Sequence, residues 1–167
     1  CSTIIARRQP AAGDLRMLMT VVKTITDLER IGDEAAKIAR MAKLIYSAER
    51  LQQPRTTEIR RMSQIALDML RKSLDAFARL DLAASAEVVR RDQHVDEEFR
   101  GVLRQLITFM MEDPRTISSS IEILFVAKAI ERIGDHAKNI SEYVIYMVKG
   151  KDVRHVTLEE IEREVMG

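Results

Sequence analysis

Five residues occur twice in this chain. Glu29-Arg30-Ile31-Gly32-Asp33 matches Glu131-Arg132-Ile133-Gly134-Asp135 at an offset of 102. Both copies sit inside apolar stripes of the same 3,4 spacing. The first reads Leu28, Ile31, Ala35, Ile38, Ala42, Ile45. The second reads Ile123, Val126, Ile130, Ile133, Ala137, Ile140, Val144, Met147. A five-residue identity in an aligned helical register marks an internal structural repeat. Two further segments carry stripes of the same kind. One runs Ile59, Met62, Ala66, Met69, Ser73, Ala76, Leu80, and the other Val88, Asp92, Val95, Phe99, Val102, Leu106, Phe109. Spacing near 3.5 predicts nearly antiparallel packing in a bundle.

Breakers set the helix limits. Gln9-Pro10 with Gly13, Pro54 within Gln52–Thr57, the weaker Asp81–Ser85, Asp113-Pro114 and Gly150 divide the chain into helices at about 12–48, 56–80, 84–112 and 115–148. Asp113 suits an N-cap and Pro114 the first turn after it. Thr157 with Glu160 reads as a capping box opening a short helix at 158–166. The expected fold is all-α: tandem three-helix bundles, the first incomplete. Residues 1–53 form the remnant of the first repeat, 54–150 a complete second repeat and 151–167 a tail. By the offset, about 47 residues of the first copy would lie upstream. The chain starts at Cys1 without a signal-peptide core, as a fragment of a longer protein would. The helix at 12–48 should then lack partners for part of its apolar face. It should expose an apolar patch or recruit another chain.

Composition excludes several classes. The 167 residues hold 6 Gly and 3 Pro, too few turn formers for a many-stranded β protein. A single cysteine rules out an internal disulfide framework and a cysteine-based zinc site. No apolar run approaches the ~18 residues of a membrane span. With 27 Lys+Arg against 26 Asp+Glu, the net charge of +1 argues against nucleic-acid coating. The basic pairs Arg7-Arg8 and Arg60-Arg61 are local and suit either docking of acidic partners or solvated helix ends.

Chemistry concentrates at the repeated motif. Glu131, Asp135 and Asn139 lie at i, i+4, i+8, one oxygen-rich strip turned away from the main seam. Such a strip suits a hard or borderline metal. It also suits a solvated face, with Arg132 pairing to Asp135. Asp92 and Asp96 repeat the i, i+4 spacing, and Asp92 interrupts an apolar stripe, which is costly without a partner such as Arg90 or a metal. Antiparallel packing would bring both toward the strip, gathering four carboxylates that need cations. Gly32 and Gly134 each cost about 1 kcal/mol relative to Ala in a helix, which either a close helix approach or a role in shaping a site would offset. His94, His136 and His155 have no Glu three residues before them, so the Glu-x-x-His di-iron pattern is absent. His136 follows Asp135 and reads as a polar surface residue, with a secondary ligand as the alternative. No nucleophile–base set is present. Three readings stay open at this point: a regulatory adaptor, a metal-dependent enzyme using the strip, and a purely structural bundle.

Several segments resemble the PhoU family. They are Ile5-Ala6-Arg7-Arg8-Gln9-Pro10, Asp14-Leu15-Arg16, both Glu-Arg-Ile-Gly-Asp copies, Asp75-Ala76-Phe77-Ala78-Arg79, Met110-Met111-Glu112-Asp113 and the stretch from Val148 to His155. The resemblance implies tandem three-helix bundles. It implies a cytoplasmic, non-enzymatic adaptor, reaching the inner membrane only through its partners. Those partners are a sensor histidine kinase and the ATPase subunit of a phosphate ABC transporter, and the adaptor restrains phosphate-starvation signalling. A homodimer or other self-association is expected, and no nucleic acid. The resemblance also implies metal binding through acidic i, i+4 pairs. Carried over by position, the ligands are Asp92, Asp96, Glu131, Asp135 and Asn139, with Glu29 and Asp33 from the first copy. There Lys37 replaces the Asn. Iron, zinc, manganese, nickel and magnesium all suit such ligands.

Overall fold

A computed structural model describes residues 12–47, 57–153 and 156–166. Every helix and strand assigned among them is helical. Helix α1 spans Ala12–Ser47, α2 Thr57–Arg79, α3 Leu82–Glu112, α4 Ile117–Lys149 and α5 Leu158–Met166, with a 3-10 turn at Pro114–Thr116. These bounds agree with the sequence expectation to within two residues. Cys1, Arg7-Arg8, Pro54 and His155 lie outside the described residues.

The helix ends follow local chemistry. Asp81 Oδ1 accepts from the Ala84 N–H at 3.0 Å and caps α3. Asp113 Oδ1 accepts from the Arg115 N–H at 3.0 Å, with Pro114 next in line. Gly150 ends α4 at φ 75, where a Cβ would be strained. Thr157 and Glu160 close a reciprocal capping box: the Thr157 N–H donates to Glu160 at 2.9 Å and the Glu160 N–H to Thr157 at 3.3 Å.

Helix α4 is the hub, packing against α1, α2 and α3. Met62, Ala66, Met69, Val88, Val95, Val102, Leu106, Ala127, Ile130 and Ala137 form the main core. The stripes of α2 to α4 face the core as expected, with Ile59, Phe99, Phe109, Ile133 and Met147 half-buried and only Leu80 exposed, where α2 ends at φ 55. A smaller cluster forms where α5 lays Ile161 over Val153, Ala86, Val89 and Ile145.

Helix α1 departs from its expected stripe. Ile31 and Ile45 are buried, but Leu28 and Ala35 are exposed. The buried line instead runs Thr20, Thr24, Asp27, Ile31, Glu34, with Ile38 half-buried, along α4. This contact is antiparallel: Arg16 lies over the Tyr146 ring, Asp27 meets His136, and Glu34 meets Arg132. The other apolar face of α1 is open, with Met17 56%, Ile25 57% and Leu28 38% exposed.

Candidate acidic site and the repeat interface

Helices α3 and α4 run antiparallel and bring the second-repeat acids together. Asp92 is buried on α3 and receives an ion pair from Lys138 of α4 at 2.7 Å. The partner is thus across the helix pair; Arg90 pairs with Glu162 at 2.9 Å. Glu131 is held by Lys128 at 2.7 Å through Oε1. Its Oε2 is buried without a hydrogen-bond partner. A buried carboxylate oxygen left unpaired is costly and offers an open ligating position.

The acids act on one another. Burial first, then the charges of Glu131, Asp92 and Asp96, push the Asp135 carboxyl up to about 6. Burial, Asp92 and Glu131 likewise raise Asp96 above the usual carboxylate range. Lys138 loses hydration to burial, but its hydrogen bond to Asp92 and the charges of Asp92, Glu142 and Asp135 hold its ammonium above the ordinary lysine range. Lys128, Lys138 and the charge of Arg100 offset only part of the mutual repulsion of the four carboxylates. Among the described residues no three His, Cys, Asp or Glu side chains close into a metal-holding cluster. The carboxylate oxygens and the orphaned Glu131 oxygen are the donor type a hard cation takes, but as arranged they do not form a ligand set.

Other expected ligands go elsewhere. Asn139 turns toward α1 and donates to Asp27 Oδ1 at 3.1 Å. Glu29 and Asp33 are exposed on α1, whose main packing partner is α4. Arg132 pairs with Glu34 at 3.1 Å and not with Asp135.

A second polar cluster was missed from sequence. His136 is buried, not a surface residue, and its Nδ1 lies 2.6 Å from Asp27 Oδ1. Asp27 therefore ties both His136 and Asn139 to α1. Glu34 is buried between Arg132 and Lys37, the latter at 2.6 Å. The hydroxyls of Thr20, Thr24 and Ser141 are buried without hydrogen-bond partners. The signal was present: Thr20, Asp27 and Glu34 recur every seven residues, beside Ile31, Ile38 and Ile45 on one heptad face. The seam between the two repeat copies is thus largely polar.

The two motif glycines are not tight-packing devices. A Cβ on Gly32 would meet nothing within 4 Å, and one on Gly134 would touch Val95 at 3.5 Å, an ordinary contact.

The chain matches the PhoU domain over residues 1–42 and 59–144. It is 49% identical over 168 residues to the phosphate-specific transport system accessory protein PhoU homolog of Pseudomonas putida, covering all of this chain and 65% of that protein. It is 47% identical over 167 residues to the phosphate-specific transport system accessory protein PhoU of Escherichia coli (strain K12), covering all of this chain and 68% of that protein. The chain thus spans about two thirds of the length of these relatives. The crystal structure of PhoU from Pseudomonas aeruginosa superposes with a TM-score of 0.86 at 47% identity, covering 90% of this chain and 72% of that one. PhoU from Streptococcus pneumoniae gives a TM-score of 0.81 at 25% identity, covering 92% of this chain and 70% of that one. The repeat, the helical hub and these matches agree: the chain belongs to the PhoU family.

Proposed function

We propose that the chain serves as a non-enzymatic regulatory adaptor of phosphate homeostasis. In this reading it restrains two-component phosphate-starvation signalling and modulates a high-affinity phosphate ABC transporter. It does so by contacting the sensor histidine kinase and the transporter's ATPase subunit from the cytoplasmic side. The observation that carries the reading is near-50% identity along the whole chain to proteins named as accessory to phosphate-specific transport. Those names describe an accessory role, consistent with a helical bundle whose sequence holds no nucleophile–base set. No described helix is long and apolar enough to cross a membrane, so membrane proximity would come through partners. Pull-down of the kinase and the ATPase with the full-length protein and with this chain tests the reading. Binding of neither by the full-length protein overturns it.

The α3–α4 acids are the natural cation site in this reading. Asp92, Asp96, Glu131 and Asp135 would supply carboxylate oxygens to a divalent or trivalent ion, whose charge would relieve their mutual repulsion. Glu29 and Asp33 alone offer an exposed pair, and Asn139 is engaged by Asp27. Calorimetric titration with manganese, zinc, nickel, magnesium or ferrous iron should give binding that Asp135→Ala abolishes. An unchanged isotherm in that variant would remove the acids from the site.

A further inference from the structure

The outer face of α4 changes character along its length. Ile117, Ile121, Leu124, Lys128, Glu131 and Asp135 recur at 3,4 spacing, so they form one stripe. Its first half is apolar; its second half carries Lys128 paired to Glu131 at 2.7 Å and then Asp135, with Asp92 and Asp96 close by on α3. Ile117 and Ile121 are each 41% exposed, and the neighbouring Phe125 is 54% exposed. Helix α3 runs antiparallel beside it, as the Lys138–Asp92 pair and Lys128 over the Phe99 ring show. Ile107 and Met111, 44% and 80% exposed, therefore flank the apolar half, and Asp96 flanks the acidic half. The same stripe occurs in α1 at the repeat offset. Leu15, Met19 and Val22, all exposed, precede Glu29 and Asp33. Single exposed apolar residues need no explanation, but a contiguous set in the same register of both repeats does.

We propose that this α3–α4 surface docks one amphipathic helix of a partner protein, apolar at one end and cationic at the other. Charge decides among occupants. The acidic end would be repelled by an anionic lipid surface, which disfavours a membrane role for the apolar end. With the acids free of metal, a helix carrying Lys or Arg satisfies both halves at once, its apolar side chains seated beside Phe125 and its cations taking the place of the ion at Glu131 and Asp135. Ile121 and Asp135 are separated by roughly 21 Å along α4. The partner's apolar anchors and cations should be separated by a similar length. The proposal rests on the adaptor reading only in requiring a protein partner, and its test needs neither the kinase nor the ATPase.

The probe is a fluorescent synthetic helix of about 20 residues, with Leu on one face of its first turns and Arg on the same face of its last. Its control carries Glu in place of Arg. In anisotropy titrations of the full chain with chelator present, the Arg peptide should bind and the Glu peptide should not. Ile121→Asp with Phe125→Asp should weaken binding roughly tenfold or more. Glu131→Gln with Asp135→Asn should weaken it several-fold at low salt and flatten its salt dependence. Ile121→Ser with Phe125→Ser, checked for helicity by circular dichroism, guards against misfolding of the Asp variant. Equal binding of both peptides, or no loss in either apolar variant, overturns the proposal. So does sedimentation with phosphatidylglycerol vesicles, or self-association in sedimentation equilibrium, if the apolar variants abolish it.

Discussion

Helices α1 and α4 carry the same five-residue motif and meet different surroundings. Ile130 is buried at 3% exposure while its counterpart Leu28 is 38% exposed; Ala127 is fully buried while Ile25 is 57% exposed. Gly134 is buried and Gly32 exposed. The difference lies in the neighbours. Helix α4 has α2 and α3 on that face and α1 on another. Helix α1 keeps the second contact, and its face equivalent to the α2–α3 side is open. Each repeat helix is therefore built with two packing faces, and periodicity alone does not say which of them a given chain fills.

The largest expected effect tests that difference directly. Ile130→Ala removes a buried side chain from the core and should cost about 3 kcal/mol. Leu28→Ala, at the same repeat position, should change stability by less than about 0.5 kcal/mol. Urea unfolding of both variants reads the contrast. Similar losses would mean that the open face of α1 is covered in solution, and sedimentation would then show by what.

The contact the two helices share is the next target. Asp27→Ala would leave buried His136 and Asn139 without their acceptor, at a cost of about 2 kcal/mol. Ile31→Val, on the same α1 face, should cost about 1 kcal/mol. If Asp27→Ala proves milder than Ile31→Val, the polar seam contributes little and the apolar contacts hold α1 to α4.

This seam also shows where sequence reading succeeds and where it stops. Helix limits were legible because Asp113-Pro114, Gly150 and Thr157/Glu160 act through local backbone chemistry. The stripes of α2 to α4 were legible because their seams are apolar. The stripe of α1 was placed on Leu28 and Ala35 because an apolar count ignores Thr20, Asp27 and Glu34, which occupy its true seam. His136 was read as a surface group because its acceptor comes from 109 residues away. The meeting of Asp92, Asp96, Glu131 and Asp135 followed from antiparallel order. The lysines that divide them did not, since Lys138 and Lys128 could have faced solvent.

The acidic surface gives α4 a pH response centred on Asp135. The folded Asp135 carboxyl titrates at about 6, above its ordinary value of 3.8. A carboxyl raised on folding favours the folded state fully below its unfolded value and loses that contribution as pH rises through the folded one. At pH 7 without metal, Asp135 should therefore destabilise the protein. Asp135→Asn should raise stability by about 1 kcal/mol, after solvent screening of a half-exposed group. The gain should fade between pH 6 and 4. With saturating manganese the sign should reverse, because only the acid gains from the ion. Thermal melts with chelator and with metal across pH 4–8 check both halves. A flat profile would mean that solvent reaches Asp135 more freely than its packing indicates.

The smallest effect concerns the two glycines. In a helix interior Ala is favoured over Gly by up to about 1 kcal/mol, through lower backbone entropy in the unfolded chain. At Gly32 the added methyl enters open space, and at Gly134 it meets Val95 at ordinary contact distance. Neither substitution meets a clash, so Gly32→Ala and Gly134→Ala should each stabilise by about 0.5–1 kcal/mol in chemical denaturation. A loss at Gly134 alone would show that the α3–α4 approach is closer in solution than its Val95 contact implies. A loss at both would mean that the open face of α1 receives a closely packed neighbour at Gly32, and the two faces would then be equivalent in use as well as in sequence.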